Sequence, residues 1–329
     1  MGKNYRLEKC ILDSEWDNFI DNSPDQSIFV SKIYLENINS NLGLFKCFKG
    51  QEIRAVVVLC EDEFSKKIVN NNLLIYSGIC FGPPTNNQNY SQQISERHEI
   101  TNFIINQLTY YYESLDFQLS PNFIDIRPFL WHNYSEKYSK KFTVDIRYTS
   151  YLNLLNFKSN DPKELEVACK NFSSSRRQQV RYTIKKNIKT ELSKDVDLFL
   201  SFYKKTLNKS GINLCPISEK SLSQLIDKLI NSNKAKMYLS FSKDKNPASI
   251  AIIGFDKLRA CYLFGANNSD IKDETTGTAV LWHAFKELSA QGVGEIDLEG
   301  VNSPKRGWFK LSFGGRLVPY FRIKYPNNN

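Results

Sequence analysis

No stretch of the 329-residue chain approaches the roughly 18 consecutive apolar residues that a membrane-spanning helix needs. The opening Met-Gly-Lys-Asn-Tyr-Arg has no apolar core, so no secretory leader is expected, and Arg6 stands where an N-myristoylation signal requires Ser or Thr. Histidine is scarce. His98, His132 and His283 fall in unrelated segments, which make no metal-ligand spacing and offer no partner to a catalytic thiol. The seven cysteines (Cys10, Cys47, Cys60, Cys80, Cys169, Cys215, Cys261) are odd in number, scattered and never closely paired. Several lie in apolar stretches, as suits buried free thiols in a reducing compartment. These absences lead to the expectation of a metal-free, cytoplasmic protein with no transmembrane segment.

What is present points to a folded chain with an anionic partner. Aromatics are plentiful, with 22 Phe and 17 Tyr, and the length suffices for two domains. Lys and Arg number 44 against 35 Asp and Glu, a formal net charge of +9. Such a surplus favours phosphates, nucleotides, RNA or an anionic membrane face, and does not choose between them.

Periodicity gives an α/β pattern that runs twice. In the first half, helices are expected over 16–20 and 31–38, strands over 44–48, 53–59 and 73–80, a helix over 95–115, a strand over 123–126, a helix over 130–138 and an extended run over 142–154. In the second half, helices fit 162–170, 176–188, 196–209 and 218–230, and strands fit 235–241, 248–255 and 259–265. A helix over 278–290, a strand over 295–298 and a last strand over 317–325 complete the order. The stretch 123–126 echoes 295–298, and 56–58 echoes 250–253. A duplicated α/β unit follows from that order alone.

Three places carry candidate chemistry. The first is the helix expected over 176–188. It sets Arg177, Arg181 and Lys185 on one face, adds Arg176, Lys186 and Lys189, and has no carboxylate between Glu166 and Glu191. Such a face either is simply solvated or binds an anion. The second is Thr276-Gly-Thr-Ala279 after Glu274, at the start of a helix, where backbone N–H groups attract anions; a plain Thr-capped helix fits equally. The third is the stretch from Asp297 to Gly315. It leaves a buried strand, breaks at Gly300, turns at Pro-Lys-Arg-Gly and makes one helical turn over 308–312. Polar loops at strand ends are common binding sites in α/β sheets, although a connection with a basic turn explains the pattern as well.

The pattern Asp-Leu-x-Gly-x-Asn…Phe-Lys-x-x-Phe-Gly-Gly, with Asp297, Gly300, Asn302, Phe309, Lys310, Phe313, Gly314 and Gly315, resembles the FemAB-like branch of the GNAT acyltransferases. That branch includes enzymes that aminoacylate peptidoglycan precursors and acyltransferases that modify amino sugars of surface polysaccharides. The resemblance implies an α/β (α+β) fold of two tandem GNAT-like domains, each a mixed central sheet flanked by helices. The first would cover 1–150 with the final strand 317–329, and the second 151–316. It implies an acyltransferase acting on the amine of a cell-surface glycan precursor, foremost a nucleotide-linked amino sugar of surface-polysaccharide or O-antigen synthesis, with a nucleotide-sugar or lipid-linked glycan precursor as partner. The alternatives are a FemX-type transferase that uses aminoacyl-tRNA and, outside enzymes, an RNA- or membrane-surface-binding module.

The site residues follow from the same resemblance. Lys310 would supply positive charge near the developing oxyanion, while Asp297 or Glu299 would orient the amine or take its proton. Arg176, Arg177, Arg181, Asn302, Trp308 and Phe309 would meet substrate, with Lys209 standing where the family has an Arg. Thr276, Gly277, Thr278 and Ala279 would face the donor, although Glu274 replaces the family's Arg or Gln. Tyr34 takes the place of a Trp, and the nearby Lys of peptidoglycan-type members is missing. No cofactor is expected to stay bound. The donor is a co-substrate, acyl-CoA or aminoacyl-tRNA. Peripheral membrane contact is compatible with the charge, and DNA is not an expected partner.

Overall fold

The structure is a computed structural model that describes residues 5–85, 87–157, 162–208, 215–271, 273 and 275–327. Its elements open with β1 (Tyr5–Lys9), α1 (Ser14–Asn22), α2 (Lys32–Leu35), β2 (Leu42–Lys49), β3 (Glu52–Cys60) and β4 (Gly78–Phe81). They continue with α3 (Tyr90–Tyr111), β5 (Leu115–Gln118), α4 (Arg127–Trp131), β6 (Thr143–Asn153), α5 (Pro162–Ala168) and α6 (Ser174–Lys185). Next come β7 (Thr190–Ser193), α7 (Val196–Asn208), α8 (Pro216–Asn231), β8 (Ala235–Phe241), β9 (Pro247–Phe255) and β10 (Ala260–Asn267). The chain ends with α9 (Thr275–Ala290), β11 (Glu295–Asp297), α10 (Pro304–Leu311) and β12 (Arg316–Tyr325). It divides into two compact units, Met1–Arg147 with Pro319–Asn329, and Tyr148–Val318.

In the first unit, β1 to β4 form an antiparallel sheet in chain order. Its apolar strands bury Val57, Leu59 and Ile79 against Ile100, Ile104 and Leu108 of α3, which recur at helical spacing. Late in the chain, β12 pairs antiparallel with β5, and Arg322 there forks onto both oxygens of Asp116 at 2.7 and 2.6 Å. Tyr34 is a core residue whose hydroxyl donates to the Leu73 carbonyl at 2.7 Å.

Two sequence expectations fail in this unit. Residues 123–126 are not a strand, because the Phe123 N–H closes a turn onto the Ser120 carbonyl and Pro128 opens α4. The strand is instead β5, which the helical reading of 95–115 had partly absorbed. The echo between 123–126 and 295–298 is therefore one of sequence only. Residues 73–77 likewise precede β4 rather than belong to it.

One buried acid here gives the fold a pH signature. Asp25 is 1% exposed, its Oδ2 accepts from the Phe81 N–H at 3.0 Å, and its Oδ1 has no hydrogen-bond partner. Burial pushes its carboxyl up to about 6, against the opposing pull of the Phe81 amide and Arg97. Because the folded value lies above the unfolded one, near 3.9, the folded state holds the extra proton. The stability that Asp25 contributes is therefore fully present below about pH 4, is lost between about pH 4 and 6, and levels above that. Urea unfolding should show Asp25→Asn gaining about 2–3 kcal/mol on the wild type between pH 4 and 7. A pH-independent difference would contradict this reading.

In the second unit, β11 pairs with β6 antiparallel and with β10 parallel, and β10, β9, β8 and β7 continue antiparallel. The short edge strand β7 carries no periodic signal in the sequence. Helix α9 lies across β8 and β9, burying Leu281, Ala284, Phe285 and Leu288 with Ala251, Ile253 and Ile296. The short parallel strand β11 stops at Asp297, and the candidate loop leaves from its carboxyl end.

Candidate active site

The loop after β11 is held from within. Asp297 is 2% exposed, and its Oδ1 accepts from the Thr149 hydroxyl and from the Glu299 N–H at 2.7 Å. It serves as the cap of the turn. Glu299 lies just beyond the strand, and its φ of +57° is left-handed, a costly conformation for a residue with a Cβ. Lys310, from α10, holds that conformation. Its Nζ donates to Glu299 Oε2 at 2.9 Å, to the Glu299 carbonyl at 3.3 Å and toward the Gly300 carbonyl at 3.5 Å. The Lys310 side chain is 10% exposed and that of Glu299 21%. Lys310 therefore does not stand at a solvent-lined cleft, and its three donors are directed into the turn. The Glu299 carboxylate beside it is the more open of the two.

The motif's other members build this arrangement. Asn302 makes paired bonds with the backbone of Tyr148, donating to its carbonyl at 2.9 Å and accepting from its N–H at 2.8 Å. Its amide thus ties the loop to β6. A Cβ on Gly307 would come 2.4 Å from the Val301 carbonyl oxygen, so α10 can press on the loop only at a glycine. Gly314 has φ +71°, and a Cβ there would meet the Asn171 carbonyl oxygen at 2.3 Å. Phe313 is buried against Phe285, whereas Trp308 is 76% exposed.

Helix α6 separates its arginines. Arg176, expected on the basic face, is 7% exposed. Its guanidinium lies over Phe309 and Phe313 at 4.4 and 4.5 Å and donates to Ser312 Oγ at 2.9 Å, Gln179 Oε1 at 2.6 Å and the Thr278 hydroxyl. Burial pushes its pKa below the usual arginine range. The buried stripe of α6 is Arg176, Val180 and Thr183, while Ile184 on the same helix is 52% exposed. Arg177, Arg181 and Lys185 remain on the outer side. Among the described residues none of the three has a carboxylate partner.

The side chains at the start of α9 are mostly enclosed. Thr276, Thr278 and Ala279 are at most 3% exposed. Thr276 Oγ1 bonds to Ser249 Oγ at 2.9 Å, and Thr278 Oγ1 donates to Gln179 at 2.7 Å. Gly277 is the partly open member, with no atom closer than 3.6 Å to a Cβ placed there. Asp273 caps the helix, accepting from the Thr275 N–H at 3.0 Å. Its burial is outweighed by the Thr275 bonds and Lys186, which hold its carboxyl below the usual range. A carboxylate thus occupies the helix end where a pyrophosphate would seek N–H donors. Glu274 and Lys209 lie outside the described residues.

Two tyrosines that no sequence motif indicates feel the charge of Glu299. Tyr262 on β10 has Lys310 Nζ 5.4 Å from its ring centre, and burial followed by Glu299 raises its phenol well above the ordinary value. Tyr203 on α7 is also raised, by burial and by Glu299 against Arg306. Both remain neutral hydroxyls at physiological pH. They meet only through tertiary packing, so no local spacing could have indicated them. A partly open carboxylate, a buried ammonium and neutral phenols can bind an amine and relay its proton.

Comparison with known proteins bears on the family and the fold. The acetyltransferase (GNAT) domain model matches residues 174–306, from α6 to the first residues of α10. No curated protein matches the chain in sequence. Among solved structures, FemX is similar at TM-score 0.62 and 13% identity, over 96% of both chains. A tandem GNAT protein from the clavulanic acid biosynthesis pathway is similar at TM-score 0.53 and 7% identity, over 99% of this chain and 100% of its own. A GNAT-family acetyltransferase from Colwellia psychrerythraea is similar at TM-score 0.53 and 10% identity, over 98% and 100%. Those identities speak for the fold. Residues 174–306 thus carry a GNAT acetyltransferase domain by sequence, and the chain along its length has the fold shared by FemX and a tandem GNAT protein.

Proposed function

We propose that the enzyme forms an amide on the amine of a nucleotide-linked amino sugar, a precursor of a cell-surface polysaccharide such as O-antigen. The observation that carries this reading is the outer face of α6, where Arg177, Arg181 and Lys185 rise at one-turn spacing with no carboxylate partner among the described residues. Such a face repels itself unless an anion neutralises it, and the two phosphates of a nucleotide sugar suit it. In this reading Glu299 receives the amine, Lys310 fixes Glu299, and residues 151–316 carry the chemistry with 1–150 and 317–329 as the partner domain.

Arg177→Ala with Arg181→Ala should raise the acceptor's KM about ten-fold per arginine, with kcat and melting temperature nearly unchanged. An unchanged KM would remove α6 from acceptor binding. A second reading concerns the donor. Because Asp273 caps α9 where a CoA pyrophosphate would sit, an aminoacyl-tRNA donor of the FemX type is the alternative to acyl-CoA. Parallel assays with each donor separate the two.

A further inference from the structure

Around α4 the first unit turns large apolar side chains outward. Ile124 is 81% exposed, Leu130 50%, Trp131 52%, Tyr134 73% and Tyr138 93%. Packing explains why they cannot turn in. The inward position of α4 is taken by Phe129, which is 1% exposed and meets Phe117, Phe123 and Phe142 edge-on or tilted. Leu130 and Trp131 are left outside. The segment is also ordered by its own bonds. The Tyr134 N–H donates to the Trp131 carbonyl at 3.0 Å, Asn133 Nδ2 to the Lys140 carbonyl at 2.9 Å and Lys141 Nζ to the Tyr134 carbonyl at 3.4 Å. These bonds bring Trp131, Tyr134 and the basic end of the segment together.

The charge on this face has one sign in excess. Residues 124–141 hold four cations (Arg127, Lys137, Lys140, Lys141) and two acids (Asp125, Glu136), so 4 − 2 leaves +2. Asp125 is engaged by Arg127 at 2.7 and 2.6 Å, and Glu136 accepts from Ser139. The lysines are therefore the charges available to a partner.

We propose that this face docks on the surface of an anionic lipid bilayer. Ile124 and Leu130 would enter the acyl boundary, Trp131, Tyr134 and Tyr138 would lie at headgroup level, and Lys137, Lys140 and Lys141 would meet lipid phosphates. Among the described residues no helix is long and apolar enough to cross a membrane, so the contact is peripheral. A second copy of the chain is a poor occupant, since two positive faces repel. RNA would stack on the aromatic rings but gains little from Ile124 and Leu130.

The test is co-sedimentation of the full chain with vesicles of phosphatidylglycerol and phosphatidylcholine, with phosphatidylcholine alone and single-stranded poly-U as comparisons. Binding to the anionic vesicles should weaken as salt rises. Lys137→Ala with Lys140→Ala should lower the apparent affinity about 25-fold, each lysine near such a surface being worth about five-fold. Leu130→Ser with Trp131→Ser should abolish the binding that survives at high salt. These side chains are solvent-exposed, and an unchanged melting temperature for each variant verifies that the fold is kept. The proposal is overturned if the wild type does not sediment with anionic vesicles or if both variants bind like it. It is also overturned if these substitutions weaken poly-U binding and leave vesicle binding intact.

Discussion

Replacing Lys310 by alanine is expected to lower kcat about 10²-fold while the acceptor's KM changes little. The reason lies in what Lys310 touches. Its ammonium donates to the side chain and carbonyl of Glu299 and toward the Gly300 carbonyl, and so holds a left-handed residue at the mouth of β11. Without it, Glu299 relaxes toward ordinary backbone angles and its carboxylate leaves the position where an amine would be received. Displacements of an ångström at a reacting centre cost about that much in rate. The same substitution should lower stability by about 2–3 kcal/mol, since it leaves a largely enclosed carboxylate without its cation. A double substitution, Lys310→Met with Glu299→Gln, separates the two effects. Stability should return toward the wild type, because no unpaired charge remains, and kcat should not. Steady-state kinetics with a thermal melt reads both. Normal kcat in Lys310→Ala would reduce the Phe-Lys-x-x-Phe-Gly-Gly motif to packing.

Arg176→Ala is expected to lower the unfolding free energy by about 3 kcal/mol, the largest single stability effect among the candidate arginines. Its guanidinium fills the space over Phe309 and Phe313 and supplies bonds to Ser312, Gln179 and Thr278. Truncation leaves a cavity beneath two rings and removes one bond each from Ser312, Gln179 and Thr278. Lysine should restore little, because a single ammonium cannot reproduce the planar fork. Arg177 and Arg181, one and five positions further along the same helix, should change stability by no more than about 0.5 kcal/mol. Urea unfolding of the three single variants decides the matter. An Arg176→Ala protein of unchanged stability and raised acceptor KM would return that residue to the substrate face.

These two predictions show where sequence stopped being sufficient. The alternation and apolar runs of β8, β9 and β10, and the helical spacing of α9, were legible because burial imposes those periods directly. The glycines at 314 and 315 were legible as a break, since a left-handed φ and close backbone approach need them. Arg176 was not. It shares the buried stripe with Val180 and Thr183, and two of those three read as polar in one dimension. Lys310 was legible as a cation on a short helix, but its partner is eleven residues earlier, beyond any local pattern. Asp297 read as a candidate acid, and its role emerged only when the Thr149 hydroxyl and Glu299 amide were found to occupy it. The false strand at 123–126 shows the reverse error, in which apolar and β-branched residues alternate with no neighbouring strand to pair with.

The reaction itself is tested most directly by mass. The purified chain is incubated with nucleotide-linked amino sugars and, in separate reactions, with acyl-CoA or aminoacyl-tRNA, and products are read by mass spectrometry. The account predicts an amino sugar heavier by one acyl or aminoacyl group, formed with one of the two donors and lost in Lys310→Ala. An unmodified acceptor pool with every donor would contradict it.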